Sequence, residues 1–329
     1  MNALCLGVDA NGKKIIKFLG HPVNDNQKTV YYRGKDYPID MLIKIPCGKC
    51  VGCRLEYSRQ WANRCMLELQ YHDSAYFCTF TYDDDHVPRT YYPDSETGEA
   101  FPAMTLQKRD FQLLMKRIRK HFPDDQIRFF ACGEYGSQTF RPHYHAIIFG
   151  LHLSDLIPYK KVREGGEFYT YYNSPSLQEC WPYGFVVVGE VTWESCAYTA
   201  RYVMKKLKGK EADFYGKHNI QPEFTLMSRR PGIARNYYDT HPTLFDTDYI
   251  NISTPKGGKK FRPPRYFEKL FEVDQPLRSA ELKEIKKRMA IESQKAKLTR
   301  TSLTGDELLE VEEAAQVNKL KSLRRSLHE

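Results

Sequence analysis

Apolar residues change their period several times along the chain, and each change marks an element. In RLEYSRQWANRCMLELQYH (54–72) Leu55, Trp61, Cys65 and Leu69 recur at helical spacing. AYFCTFTY (75–82) is dense in aromatic and β-branched residues and is closed by Asp83-Asp84-Asp85, which predicts a buried strand. TLQKRDFQLLMKRIRKHF (105–122) predicts an amphipathic helix, with Phe111, Leu114, Met115 and Ile118 on one side and basic residues on the other. Three further strands are expected at QIRFFACGEYG (126–136), HYHAIIFG (143–150) and GFVVVGEVT (184–192). WESCAYTARYVMKKLKG (193–209) then reads as a helix stopped by Gly209.

The remaining stretches carry weaker patterns. Residues 1–46, with turn signals at Asn11-Gly12 and Asn24-Asp25, are expected to be irregular, and 152–180 to be a polar, tyrosine-rich insertion. SRRPGIARNYY and STPKGGKKFRPPRYF are basic and rich in turn residues, and from Pro276 the chain is charged and helix-prone. The expected organisation is 1–72 as an N-terminal region, 73–210 as a core, 211–275 as a basic region and 276–329 as a helical tail. The central order of strand, helix, three strands and helix predicts an α+β fold on an antiparallel sheet of about five strands flanked by helices.

Composition narrows the setting. Hydrophobic residues make up 41% and aromatics 13%, as in a folded globular chain. Fifty basic against 41 acidic residues give +9 and a pI near 8.9, compatible with a polyanionic partner. No apolar run is long enough for a membrane helix, and MNALCLGVDANGKK lacks the apolar core of a signal peptide, so a cytoplasmic protein is expected. In a reducing compartment the nine cysteines are free thiols or metal ligands rather than disulfides.

Three clusters carry candidate chemistry. In RPHYHAIIFG (141–150), His143 and His145 share one strand face, about 6–7 Å apart, while Tyr144 points the other way. Glu134, at the end of the preceding strand, comes beside them if that strand returns antiparallel, completing a donor set for a divalent ion. In YTARYVMKK, Tyr198 and Tyr202 stack on one helix face with Cβ atoms about 5–6 Å apart, and Arg201 and Lys205 follow each at three positions. A tyrosine hydroxyl can attack a phosphodiester and conserve the bond as an ester, and a neighbouring cation favours the phenolate; the alternative is an aromatic stripe packed on the sheet. Cys47, Cys50 and Cys53 fit tetrahedral zinc, with Cys5 favoured over Cys65 as the fourth ligand. Cys78, Cys132, Cys180 and Cys196 read as core residues.

AYFCTFTY, PHYHAIIFG with Glu134 upstream, and YTARYVMKK appear in the order of the three motifs of the HUH endonuclease superfamily. The chain resembles its two-tyrosine replication initiators, and most closely those of microviruses of the gokushovirus type. PCGKCVGCRLEYSRQWANRC and SRRPGIARNYY add to the resemblance, which extends over about 46–238. Tyr144 stands where the family usually carries an aliphatic residue, and Arg201 where lysine is frequent.

The resemblance implies that Glu134, His143 and His145 hold Mg²⁺ or Mn²⁺. Tyr198 or Tyr202 would attack single-stranded origin DNA, leaving a 3′-hydroxyl primer for rolling-circle synthesis and a 5′-phosphotyrosine link that is later rejoined. Lys205, supported by Arg201 and Lys206, would stabilise the phenolate or phosphate. DNA contacts would come from Lys108, Arg109, Lys116, Arg117, Arg119 and Lys120, and from Arg229, Arg230, Arg235, Lys259 and Lys260 within the basic region. Tyr237, Tyr238, Phe261 and Tyr266 would stack on bases. Host helicase and polymerase would be partners in a bacterial cell. Competing readings are a relaxase or single-strand transposase of the same superfamily, and a non-enzymatic zinc-stabilised nucleic-acid-binding protein. The lack of a GxxxxGK[ST] phosphate loop counts against large relaxases.

Overall fold

The structure is a computed structural model describing residues 2–9, 14–19, 23, 28–48, 50–94, 96–136, 138–164, 167–201, 212–254 and 257–321. The chain divides into two compact units, Met1–Arg54 and Leu55–Glu329.

The first unit corrects the expectation of an irregular N-terminus. Strands β1 (Asn2–Val8), β2 (Lys14–Phe18) and β5 (Leu42–Lys44) form an antiparallel sheet in the order β2-β1-β5. Strands β3 (Thr29–Tyr32) and β4 (Lys35–Pro38) form a separate hairpin, and Leu4, Leu19, Val23 and Val30 make the small core. These strands are short and bury few positions, so no run of apolar alternation betrays them in the sequence.

Helix α1 (Val51–Leu69) leads into the second unit, whose elements follow in chain order. They begin with β6 (Ala75–Tyr82), the hairpin β7 (Arg89–Pro93) and β8 (Ala100–Met104), α2 (Lys108–His121), β9 (Arg128–Tyr135) and β10 (Pro142–Phe149). Next come β11 (Ile157–Glu164), β12 (Glu167–Asn173), α3 (Pro175–Glu179), β13 (Gly184–Glu190), α4 (Trp193–Arg201), α5 (Asp213–Lys217), β14 (Phe224–Met227) and α6 (Arg235–Thr240). The hairpin β15 (Ile250–Thr254) and β16 (Gly257–Phe261) precedes α7 (Arg265–Asp274), α8 (Pro276–Leu298) and α9 (Gly305–Lys321).

An antiparallel sheet in the order β11-β12-β13-β6-β10-β9-β14 organises this unit. The α+β reading holds, but the sheet has seven strands rather than about five. The expected polar insertion folds as the β11–β12 hairpin along one edge, and β14, from the basic stretch, supplies the other.

The central strands are buried on both faces, and each alternates between two cores. Tyr144, Ala146 and Ile148 of β10 join Cys78, Phe80 and Tyr82 of β6 against Phe111, Leu114, Met115 and Ile118 of α2. Ile147 and Phe149 face the other way, with Phe77, Phe130 and Cys132, against Trp61, Ala62 and Cys65 of α1 and Cys196, Ala197 and Tyr198 of α4. Trp61 stacks on Phe130 with centroids 4.5 Å apart, a contact that adds about 0.5–1.5 kcal/mol beyond burial. The strand β10 stops at Gly150, whose φ is +67° and where a Cβ would lie 2.7 Å from the Gln126 carbonyl oxygen.

Tyr144 faces the core as expected. Its ring is fully buried, and its hydroxyl donates to the Gln107 carbonyl (2.8 Å), accepts from the Gln107 N–H (3.1 Å) and lies 2.8 Å from the Tyr82 hydroxyl. Tyr82 in turn donates to Asp110 (2.7 Å). The strand carrying the histidines is thereby tied to the start of α2.

Candidate active site

Period-two alternation sends His143 and His145 to the face of β10 that α4 covers, and the register of β9 places Glu134 directly opposite His143. One carboxylate oxygen, Oε1 of Glu134, lies 2.6 Å from His143 Nε2 and 2.9 Å from His145 Nε2. Each ring is held from behind. His143 Nδ1 is 3.1 Å from the Arg141 carbonyl oxygen, which can only accept, and His145 Nδ1 is 3.0 Å from the Thr79 hydroxyl. These contacts turn both Nε2 atoms toward the carboxylate, the orientation that metal-binding histidines receive from their outer partners.

Glu134 is almost fully buried, at 2% exposure. Burial alone would raise its pKa, but the hydrogen bonds and charges of His143 and His145 outweigh that penalty and hold the carboxyl at about 2. The three donor atoms lie within 4.8 Å of one another. Neighbouring ligands of an octahedral cation bound at about 2.1 Å are roughly 3 Å apart, so a shift of a few tenths of an ångström admits an ion. Two imidazole nitrogens and a carboxylate suit a divalent cation of the Mg²⁺–Mn²⁺–Zn²⁺ range.

Tyr198 completes the site. Its ring meets His145 edge-on, with centroids 5.2 Å apart, and Phe77 at 6.1 Å, while Phe77 stacks flat on His145 at 5.5 Å. Burial raises the Tyr198 pKa, the Glu134 charge raises it further, and Arg201 pulls it back. The phenol therefore keeps its proton unless a cation or base arrives. Tyr202, Lys205 and Lys206 lie outside the described residues. Thr79 and Phe77 were missed from the sequence, although alternation along AYFCTFTY sets 77, 79 and 81 apart from the core positions 78, 80 and 82.

The cysteine cluster is only partly as expected. The sulfurs of Cys47, Cys50 and Cys53 lie within 4.8 Å of one another, with Cys47 and Cys53 3.8 Å apart and the Cys50 N–H donating to Cys47 at 3.1 Å. The structure does not bring Cys5 into this group. It sits on β1 opposite Ile16, its thiol 3.9 Å from the Gly7 carbonyl, because strand pairing fixes it away from the turn. Cys65 is fully buried beside Cys196, and burial raises its pKa strongly. Cys78, Cys132, Cys180 and Cys196 are buried, as expected.

The proposed DNA contacts divide. Arg229 and Arg230 are exposed. Arg235 is committed to Asp239 (2.7 and 2.9 Å), Lys259 lies over the Trp193 indole (3.6 Å) and Lys260 over Tyr249 (4.2 Å). Among the expected stacking residues, Tyr237 and Phe261 are buried in the core and so present no face to a base. Helix α2 packs on the sheet face opposite the histidines. Its Arg117 donates to the Cys180 carbonyl (2.7 Å), so these basic residues do not border the site.

The tract SRRPGIARNYY is bound into the core rather than projecting from it. Glu68, on α1, accepts from the Ala234 N–H and from Arg128, and Arg64 donates to the Ile233 carbonyl at 2.9 Å. Ile233, Ala234 and Tyr237 are buried.

The fold and site define a class: a sheet presenting a carboxylate and two histidines as a metal centre, with a tyrosine-bearing helix laid against it. The comparisons specify it further. The family model described as replication-associated protein ORF2 matches residues 75–207, which span β6, both histidine-site strands and α4. The chain is 33% identical over 247 residues to replication-associated protein ORF2 of Spiroplasma virus 4, covering 74% of this chain and 71% of the relative. It is 28% identical over 243 residues to replication-associated protein VP4 of Bdellovibrio phage phiMH2K, covering 70% and 69%. To replication-associated protein ORF4 of Chlamydia phage 1 it is 30% identical over 236 residues, covering 69% and 53%. No solved structure matches. The chain belongs to the family of replication-associated protein ORF2, which bears out the resemblance to phage replication initiators. No helix among the described residues is long and apolar enough to cross a membrane.

Proposed function

We propose that this protein is a replication initiation endonuclease of the HUH type, which nicks and rejoins single-stranded origin DNA in the cytoplasm of a bacterial host. The observation that carries the reading is the convergence of Glu134, His143 and His145 on one point, with the Tyr198 ring against His145. Family membership supports the biological role.

Glu134, His143 and His145 would hold Mg²⁺ or Mn²⁺, which when bound polarises the scissile phosphate and offsets charge on its oxygens. The chain's own residues do the rest. A tyrosine hydroxyl, of Tyr198 or Tyr202, forms an O–P bond while the P–O3′ bond breaks. The tyrosine gives up its proton, and the leaving oxygen gains one to become the 3′-hydroxyl primer. Arg201, with Lys205 and Lys206, favours the phenolate over the phenol. Attack by a later 3′-hydroxyl on the phosphotyrosine reverses the exchange and reseals the strand; a second tyrosine can cut the regenerated origin while the first is still occupied. Cys47, Cys50 and Cys53 would supply three ligands of a structural Zn²⁺. Single-stranded origin DNA is the partner, and host helicase and polymerase would extend the primer.

The test is incubation with origin-containing single strands and Mn²⁺, with the covalent adduct mapped by mass spectrometry. Wild type is expected to form a metal-dependent phosphotyrosine adduct, and the Tyr198→Phe/Tyr202→Phe double variant none. A double variant that still cleaves, or a wild type that never does, refutes the enzyme and leaves the binding-protein reading.

A further inference from the structure

The strand register extends the site sideways. Glu134, His143, Thr81 and Phe185 are direct neighbours across β9, β10, β6 and β13, and so share one face of the sheet. Phe185 is two strands from His143, roughly 10 Å away. Its strand neighbours Val186 and Val188 point into the opposite core, whereas Phe185 is 64% exposed. Toward the far end of β13 the same face closes: Gly189 lies under the Tyr171 ring, beside Phe77, and α4 brings Tyr198 against Phe77. Lys160, opposite Tyr171 on β11, is exposed on this side. An open aromatic ring thus continues the row of residues proposed to hold the metal, with a cation farther along the sheet edge.

The geometry points to Phe185 as a stacking platform for one unpaired nucleobase, within a nucleotide or two of the phosphate at Glu134 and His143. The inference rests on the proposed nicking function and specifies how its substrate is gripped. A ring face accepts any base but only an unstacked one, which favours single strands over duplex. Lys160 supplies charge for the backbone on the same side.

The test uses the full-length chain in EDTA, where a metal-dependent adduct cannot form, and a mixed-sequence single-stranded oligonucleotide carrying 2-aminopurine. Wild type is expected to bind with a change in 2-aminopurine fluorescence. Phe185→Ala should weaken binding roughly ten-fold, within the range one stacked base contributes, and abolish that change. Phe185→Trp should restore both, and thermal melting should be unchanged in either variant because the ring is exposed. Unaltered affinity and fluorescence in Phe185→Ala overturn the platform, as does failure of Phe185→Trp to rescue a correctly melting protein. Loss of a protein partner with DNA binding intact would assign the ring to a different interface and also overturn it. If stacking is found but no adduct forms with Mn²⁺, the nicking function fails and the platform stands.

Discussion

Replacing Glu134 by glutamine keeps the side chain's shape and removes its charge, which isolates the electrostatic part of the site. The carboxyl is held at about 2 against an ordinary 4.5, and at 2% exposure solvent screens it little. A folded pKa below the unfolded one stabilises the protein above the unfolded value, and that stability is lost as pH falls through the folded value. The shift is therefore worth about 3 kcal/mol at pH 7 and only ~1 kcal/mol by pH 3. Urea unfolding of the metal-free protein, followed by the fluorescence of Trp61, Trp181 and Trp193, measures it directly. Glu134→Gln should be less stable by about 3 kcal/mol at pH 7, and the gap to wild type should narrow as acid is added. Calorimetric titration with Mn²⁺ should show a large loss of affinity at the same time. A pH-independent gap, or none at pH 7, would refute the claim that the two histidines hold this carboxylate ionised.

Other perturbations read other parts of the fold. Tyr144→Phe loses the hydroxyl's bonds to the Gln107 backbone and to Tyr82, and should cost about 2 kcal/mol in chemical denaturation. The histidines keep their positions on the other face, so Mn²⁺ affinity should change little. Glu68→Ala leaves Arg128 and the Ala234 N–H without their buried acceptor and should destabilise by about 3–5 kcal/mol, with faster hydrogen exchange around Ile233–Tyr237. Glu68 itself is held below the usual carboxylate range: burial opposes this, but His72, the Ala234 N–H and Arg128 prevail. Its contribution should therefore fade as acid protonates it. Zinc removal by chelation should release metal from wild type but find none in Cys47→Ser, as elemental analysis of the purified chains will show.

The central elements were legible because their chemistry is local. The strand at 75–82 falls where its aromatic and β-branched run places it, and the helix over 105–122 is observed at 108–121. The convergence of Glu134 with His143 and His145 followed from strand periodicity and one antiparallel return. What was lost depends on tertiary choices that no local pattern encodes. The side of the sheet that α2 covers is set by packing, so its basic residues seemed close to a site that lies on the opposite face. The insertion at 152–180 hid a hairpin because its strands lie at the sheet edge, where Lys161, Arg163 and Phe168 stay exposed and break the apolar signature. Buried Tyr237 and Phe261 looked available for bases because a basic, turn-rich stretch gives no sign of what it packs against.

The placement of β10 carries one more consequence. It is paired along its length to β6 on one side and to β9 on the other. Amides so enclosed exchange with solvent only when the domain opens as a whole, so the histidine-bearing backbone should be among the slowest-exchanging segments of the chain. A protein that must cut, hold and later release the same strand needs something to move between those events. With the metal residues fixed in the interior of a sheet, that movement falls to the tyrosine side and to the DNA itself.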